Sequence, residues 1–201
     1  MCYHDKIFIN WRITTDHRVG TMSTSETFRC HGCETEYSVT GPSQPTVICQ
    51  HCGQVATRYG DGAAIRAYRL GYETYREARR RLTEAMSKLD AGETTLARGG
   101  YNDAAGEFER SVEQFLTAQQ AAESDRIDDA AGTARKKATC YWQAAEWLSG
   151  FTYASERGDR TSAATFRHDV RTRLQVASEY DAPTAPAELA SAAEAADPTR
   201  Q

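Results

Sequence analysis

The sequence predicts a small cysteine-pinned β module followed by an all-α domain of four helices. Three observations predict it. Two C-x-x-C pairs, Cys30/Cys33 and Cys49/Cys52, sit in a stretch dense in turn formers. From Ala63 onward, apolar residues recur at steps of three and four, the signature of one helix face. Glycine and proline breaks then cut this helical pattern into segments.

The first residues differ from the rest. Residues 1–26 read as a disordered N-terminal extension, or as one added in error, since Met22 offers an alternative start. A competing reading takes Lys6–Ile13, with Ile7, Ile9, Trp11 and Ile13 on one face, as an edge strand that pairs with the β module.

Residues 27–60 form the β module. Gly32, Gly41-Pro42, Pro45 and Gly53 supply turns, and Thr35–Thr40, Thr46–Ile48 and Val55–Tyr59 are short strand-like pieces between them. Asp61-Gly62 marks the boundary to the helical domain, residues 63–180.

Its first helix runs over 63–90, with Ile65, Tyr68, Tyr72, Tyr75, Leu82, Met86 and Leu89 in one stripe that Arg79 interrupts. Ala91-Gly92 ends it, and Gly99-Gly100 reads as a second break. The second helix then opens at Asn102 or Asp103, both good N-caps, and ends near Ser124. A third spans 126–156, with Gly150 as a bend. A fourth spans 161–179 and is stopped by Pro183 and Pro186. Residues 181–201, mostly Ala, Glu, Pro and Ser, read as a disordered, mildly acidic tail.

The chemistry lies in the cysteines. A structural Zn²⁺ takes four tetrahedral ligands and thiolates suit it, while C-x-x-C brings two sulfurs to one ion from a single turn. The two pairs fall within the C-x2-C-x15–20-C-x2-C spacing of zinc sites. Cys30, Cys33, Cys49 and Cys52 are therefore the expected ligands, of a structural metal. Four thiolates leave no open position for water, which argues against catalytic zinc. His31 and His51, inside the knuckles, are expected to face solvent. Cys2 and Cys140 are unpaired, and Cys140 reads as a small core residue.

This segment resembles the zinc-ribbon family, with rubredoxin-type knuckles. Gly53 stands where that family carries its knuckle glycine, and Phe28 and Tyr37 match its aromatic positions. Glu34 departs from it, since the first knuckle usually carries glycine there. The resemblance covers about a sixth of the chain, and it implies a zinc-bound β fold but no particular partner. Iron in a rubredoxin-like electron-transfer site is the chemical alternative.

Two further features bear on partners. Arg66, Arg69, Arg76, Arg79, Arg80 and Arg81 outnumber the acidic residues around them. Such a helix can track a phosphate backbone while tyrosines stack on bases. The alternative is that Tyr68, Tyr72 and Tyr75 are core and the arginines pair with acidic neighbours. The segment Ala97–Ala105 resembles the gap between tetratricopeptide helices, and Phe151–Asp159 is a similar turn, without the 34-residue period of a repeat array. The helical domain is thus a four-helix bundle or a tetratricopeptide-like pair of hairpins, suited to protein partners or oligomerisation.

Composition narrows the classes. The 201-residue chain has a net charge of −4, so bulk charge does not make it a nucleic-acid binder. No apolar run approaches the ~20 residues of a membrane span, and no secretory leader pattern is present. Paired C-x-x-C knuckles suit a reducing compartment, so a cytoplasmic setting is expected. No Ser/His/Asp set, phosphate-cradling loop or paired carboxylates stand out, and no small-molecule substrate is evident. The sequence reads as a non-enzymatic zinc-binding adaptor or regulatory protein. It would contact nucleic acid or a transcription or translation machine, or serve purely as a protein–protein adaptor.

Overall fold

The computed structural model describes residues 25–30, 32–40 and 46–196. The expected N-terminal extension lies outside these residues, apart from Ser25 and Glu26. So does the proposed edge strand at Lys6–Ile13.

Four antiparallel strands form one sheet in the order β2-β1-β4-β3: β1 Ser25–Cys30, β2 Glu36–Thr40, β3 Thr46–Ile48 and β4 Val55–Arg58. Strand β1, whose residues 25–26 read from sequence as extension and whose residues 27–30 were not among the module's strand-like pieces, is a central strand paired on both sides. Its polar Ser25-Glu26-Thr27 start hides a period-two pattern in which Phe28 and Cys30 point inward. Phe28, Cys30, Cys49 and Ala56 are buried together, with Tyr37, Val39 and Val47 packed against them.

Four main helices follow: α1 Asp61–Asp90, α2 Thr94–Ala121, α3 Asp125–Glu156 and α4 Arg160–Glu179. Each packs most extensively on its neighbour in sequence. Their seams are rich in alanine. Ala78, Ala85, Ala97, Ala104, Ala118, Ala131, Ala134, Ala138 and Ala145 are all fully buried around a few aromatics, Tyr68, Tyr101, Phe108 and Phe115. Small side chains bring the helix axes close, and the aromatics supply the apolar area. Tyr75, Phe108 and Tyr141 join α1, α2 and α3 through ring contacts with centroids 5.5–6.0 Å apart.

Three expectations are corrected here. Gly99-Gly100 is not a break, because α2 begins at Thr94 and runs through both glycines. Ala91, Gly92 and Glu93 separate α1 from α2, with Gly92 at φ +80°. A Cβ on Gly100 would lie 2.9 Å from the Cβ of Ala85, so this glycine lets α2 sit against α1. By the same token, Ala97–Ala105 is helix interior and not a tetratricopeptide-like turn. The turn after Glu156 does occur where expected, with Gly158 at φ +70° and Asp159 capping the amide of Ser162. Gly150 stays within α3, and the ring of Phe166 packs against it.

The third correction concerns residues 181–201. Pro186–Ala196 forms a fifth helix, α5, and Leu189 is buried in the main core. The alanine and proline content that reads as a solvated tail serves a different end here. Pro183 and Pro186 hold an extended crossing, and one leucine anchors the helix that follows.

The β module joins the helices with almost no slack, since only Tyr59 and Gly60 separate β4 from α1. The Gly60 amide donates to the Ala121 carbonyl (2.9 Å). The Asp61 carboxylate accepts the amides of Glu123 and Ser124 at 3.0 and 2.9 Å, capping the α2–α3 turn. Ala64, Ala121 and Ile127 are buried beneath this junction.

Candidate metal centre

The two knuckles are near-copies of each other. In the first, the Glu34 amide donates to the Cys30 carbonyl (3.0 Å) and the Cys30 amide to the Thr35 carbonyl (3.1 Å). In the second, the Gly53 amide donates to the Cys49 carbonyl (2.9 Å) and the Cys49 amide to the Gln54 carbonyl (2.7 Å). Both turns need a left-handed residue after the second cysteine, and they have Glu34 at φ +55° and Gly53 at φ +75°. Only the second knuckle has the glycine that adopts this conformation without steric cost. The departure noted at Glu34 is thus a real point of strain, and the turn forms despite it.

These turns bring the Sγ atoms of Cys30, Cys33, Cys49 and Cys52 within 4.8 Å of one another. The closest pairs are Cys30–Cys52 at 3.3 Å and Cys33–Cys49 at 3.7 Å. A tetrahedral ion with metal–sulfur bonds of about 2.3 Å has sulfur–sulfur edges of roughly 3.8 Å, so the arrangement fits one ion. Each closest pair joins the two knuckles, as a site closed from two hairpins requires. The Gly32 amide lies 3.4 Å from the Cys30 sulfur, positioned to donate to a thiolate.

The electrostatics also suit a cation. Hydrogen bonding from the Thr35 hydroxyl and amide brings the Cys33 thiol down to about 6. The Gln54 amide likewise favours the Cys52 thiolate, yet the neighbouring sulfurs and burial together push that thiol up to about 12. Four thiolates this close repel one another, and a divalent ion removes the conflict. Cys30 and Cys49 are buried, Cys33 is half-buried and Cys52 is exposed, so one side of the cluster is open to solvent. His51 is exposed, as expected, and His31 lies outside the described residues. Cys140 is buried in α3, away from this cluster, and burial raises its thiol.

The six α1 arginines do not form one free surface. Arg66 lies 3.5 Å from Glu26, which also pairs with Arg58 (2.9 Å). Arg76 stands over the ring of Tyr72. Arg79, which breaks the apolar stripe, donates to the Tyr141 hydroxyl (2.8 Å) and lies 4.5 Å above that ring, bridging α1 to α3. Arg80 pairs with Glu77 and Glu84, and Arg81 with Glu77, Asp103 and Glu107. Arg69 is exposed, with no ion pair among the described residues. Tyr68 and Tyr75 are core residues, and Tyr72 packs against the core.

Sequence reasoning missed the apolar surface beside the β module. Ile48 and Val55 are directly paired across β3 and β4 and are 64% and 46% exposed, on the face that also carries Thr46 and Thr57. That face continues into a cleft of about 490 Å³ whose other wall includes Ala67, Leu70 and Gln114. Leu70 is itself 54% exposed. The signal was present in the sequence, since Leu70 falls outside the α1 stripe and Ile48 and Val55 sit opposite the inward positions. Among the described residues, no helix is long and apolar enough to cross a membrane. No protein-family model, curated protein or solved structure matches the chain.

Proposed function

We propose that this chain is a non-enzymatic adaptor in which a structural zinc ion locks the ribbon and the ribbon–helix face receives a protein partner. The observation that carries the reading is the four-sulfur cluster, whose distances and chemistry suit a closed tetrathiolate site. Such a site contributes folding free energy to a module too small to bury much apolar surface. It also leaves no position at which a substrate could meet the metal. The thiolates suit a reducing compartment such as the cytoplasm.

Two observations favour a protein over nucleic acid as partner. Four of the six α1 arginines, Arg66, Arg79, Arg80 and Arg81, are engaged with carboxylates or with a tyrosine of α3. The cleft nearest the ribbon is lined mainly by apolar and neutral polar groups, its two arginines, Arg58 and Arg66, are paired with Glu26, and Ile48, Val55 and Leu70 are exposed beside it.

The test begins with metal analysis of the purified full-length chain, where one zinc per chain is expected. A ferric-thiolate absorption spectrum would instead favour the electron-transfer alternative. Removing the metal, or replacing Cys49 with serine, should release hydrogen-exchange protection in β1–β4 while α1–α3 keep theirs. Fluorescence anisotropy against mixed-sequence RNA and DNA at two salt concentrations decides between the partner classes. Tight binding that weakens steeply with salt would overturn the protein reading.

A further inference from the structure

We propose that the face shared by α1 and α3 is a docking surface for an acidic, alanine-rich helix with a single leucine anchor, and that the chain's own α5 is its resident, displaceable occupant.

The segment after α4 does not continue the helical array. It crosses from α3 to α1 and is held at a few points. The Lys137 ammonium of α3 donates to the Tyr180 carbonyl, where the crossing begins. The Tyr68 hydroxyl of α1 donates to the Thr184 carbonyl at 3.0 Å. Leu189, at 2% exposure, then enters the main core that contains Tyr68, Tyr75, Ala131, Ala134 and Ala138. Both hydrogen bonds go to backbone carbonyls of the crossing segment. They read an extended chain and not its side chains, so a different sequence with the same shape can accept them.

The segment itself is acidic. From Glu179 to Ala196 the segment carries Glu179, Asp181, Glu188 and Glu194 and no basic residue. The receiving side contributes Lys137, whose ammonium donates to the Tyr180 carbonyl. Tyr68 is the key group, since burial raises its hydroxyl and its hydrogen bond lies at the bottom of the contact. A helix anchored by one leucine and tied chiefly to α1 is the weakest-held described element of the helical domain. The surface it covers includes part of the main core, so that surface stays covered by one helix or another.

This inference goes beyond the adaptor reading and does not depend on the metal. It is tested with the full-length chain and a fluorescein-labelled peptide of residues 179–201. Leu189→Asp in the full chain removes the anchor and opens the face. A face that is open only part of the time binds with an apparent affinity reduced by that fraction, so the variant should bind the peptide roughly tenfold or more tighter than the unaltered chain. The same peptide carrying Leu189→Asp should bind neither. Equal binding of the peptide by both chains, or unimpaired binding of the altered peptide, would overturn the proposal.

A second variant covers the case in which Leu189→Asp disturbs folding. A protease site inserted between Ala182 and Pro183 lets the tail be cut after the chain has folded. The severed tail should leave on dilution, and the synthetic peptide should then re-enter saturably. Failure of the peptide to re-enter a cut chain that keeps its helical spectrum would also overturn it.

Discussion

Replacing Gly99 with alanine should raise the melting temperature, whereas the same change at Gly100 should lower it. Both residues lie inside α2, where alanine exceeds glycine in helix preference by about 0.5–1 kcal/mol. A Cβ on Gly99 meets no atom within 4 Å, so Gly99→Ala keeps the whole gain. A Cβ on Gly100 lies 2.9 Å from the Ala85 Cβ and 3.5 Å from its Cα. An alanine Cβ and Cα on a neighbouring helix have no rotamer by which to retreat. Overpacking of this kind costs about 1–3 kcal/mol, which exceeds the propensity gain and leaves a net loss of about 1 kcal/mol. The two variants should then differ by about 2 kcal/mol, or roughly 4–8 °C for a chain of this size. Thermal melts followed by circular dichroism at 222 nm, with urea midpoints alongside, measure the difference. Ala85→Gly in the Gly100→Ala background should recover most of the loss, as a coupled pair must. If both single variants shift in the same direction by the same amount, Gly100 is not a packing residue and the account of the α1–α2 seam is wrong.

Three other outcomes follow from the structure. Glu34→Gly relieves the left-handed strain in the first knuckle, a gain of about 1–2 kcal/mol offset in part by glycine's greater chain entropy. The metal should then withstand a higher chelator concentration, and a variant that loses metal more readily would contradict the matched-knuckle description. Asp61→Ala removes the acceptor for two α3-turn amides and should cost about 1–2 kcal/mol in urea unfolding, whereas Asp61→Asn keeps an acceptor and should lose much less. Hydrogen bonds from Arg80, and then from Arg81, hold the Glu77 carboxyl down to about 2, from an ordinary value of 4.5. A depressed carboxyl stabilises the fold above its unfolded value, and that stability is lost as pH falls from about 4.5 towards 2. Glu77→Gln should flatten the acid limb of the stability–pH curve, and an unchanged limb would show that this cluster is screened by solvent.

The cysteine cluster was legible in the sequence because its grammar is local. Two cysteines per turn at fixed spacing leave few other readings, and the structure brings the four sulfurs within reach of one ion as expected. Helix periods were legible for the same reason, and the boundaries of α1, α3 and α4 fall within two residues of those predicted. What was misread depends on distant neighbours. Gly99-Gly100 breaks a helix by propensity alone, but Gly100 meets the Cβ of Ala85 only once α2 has folded back on α1, and close packing then outweighs propensity. Strand β1 was lost because a polar strand start has the composition of a loop. Helix α5 was lost because one leucine among alanines carries too little signal until the main core that holds Tyr68 forms a place for it. Arg79 appeared as a flaw in an apolar stripe, and becomes intelligible only with Tyr141 of α3 beneath it.

The two-residue connection between β4 and α1 makes chain length itself a determinant of geometry. Each residue added to or removed from the first turn of α1 would turn the ribbon by about 100° around the helix axis and advance it by about 1.5 Å. It would also carry the Asp61 carboxylate away from the amides it caps. Substitutions at Tyr59 or Gly62 leave that phase intact, whereas a one-residue insertion would swing Ile48 and Val55 away from Leu70 and divide the apolar face between two sides of the molecule. The ribbon is therefore indexed to the helices like a key cut to one angle, and its spacing from Asp61 tolerates less change than its composition.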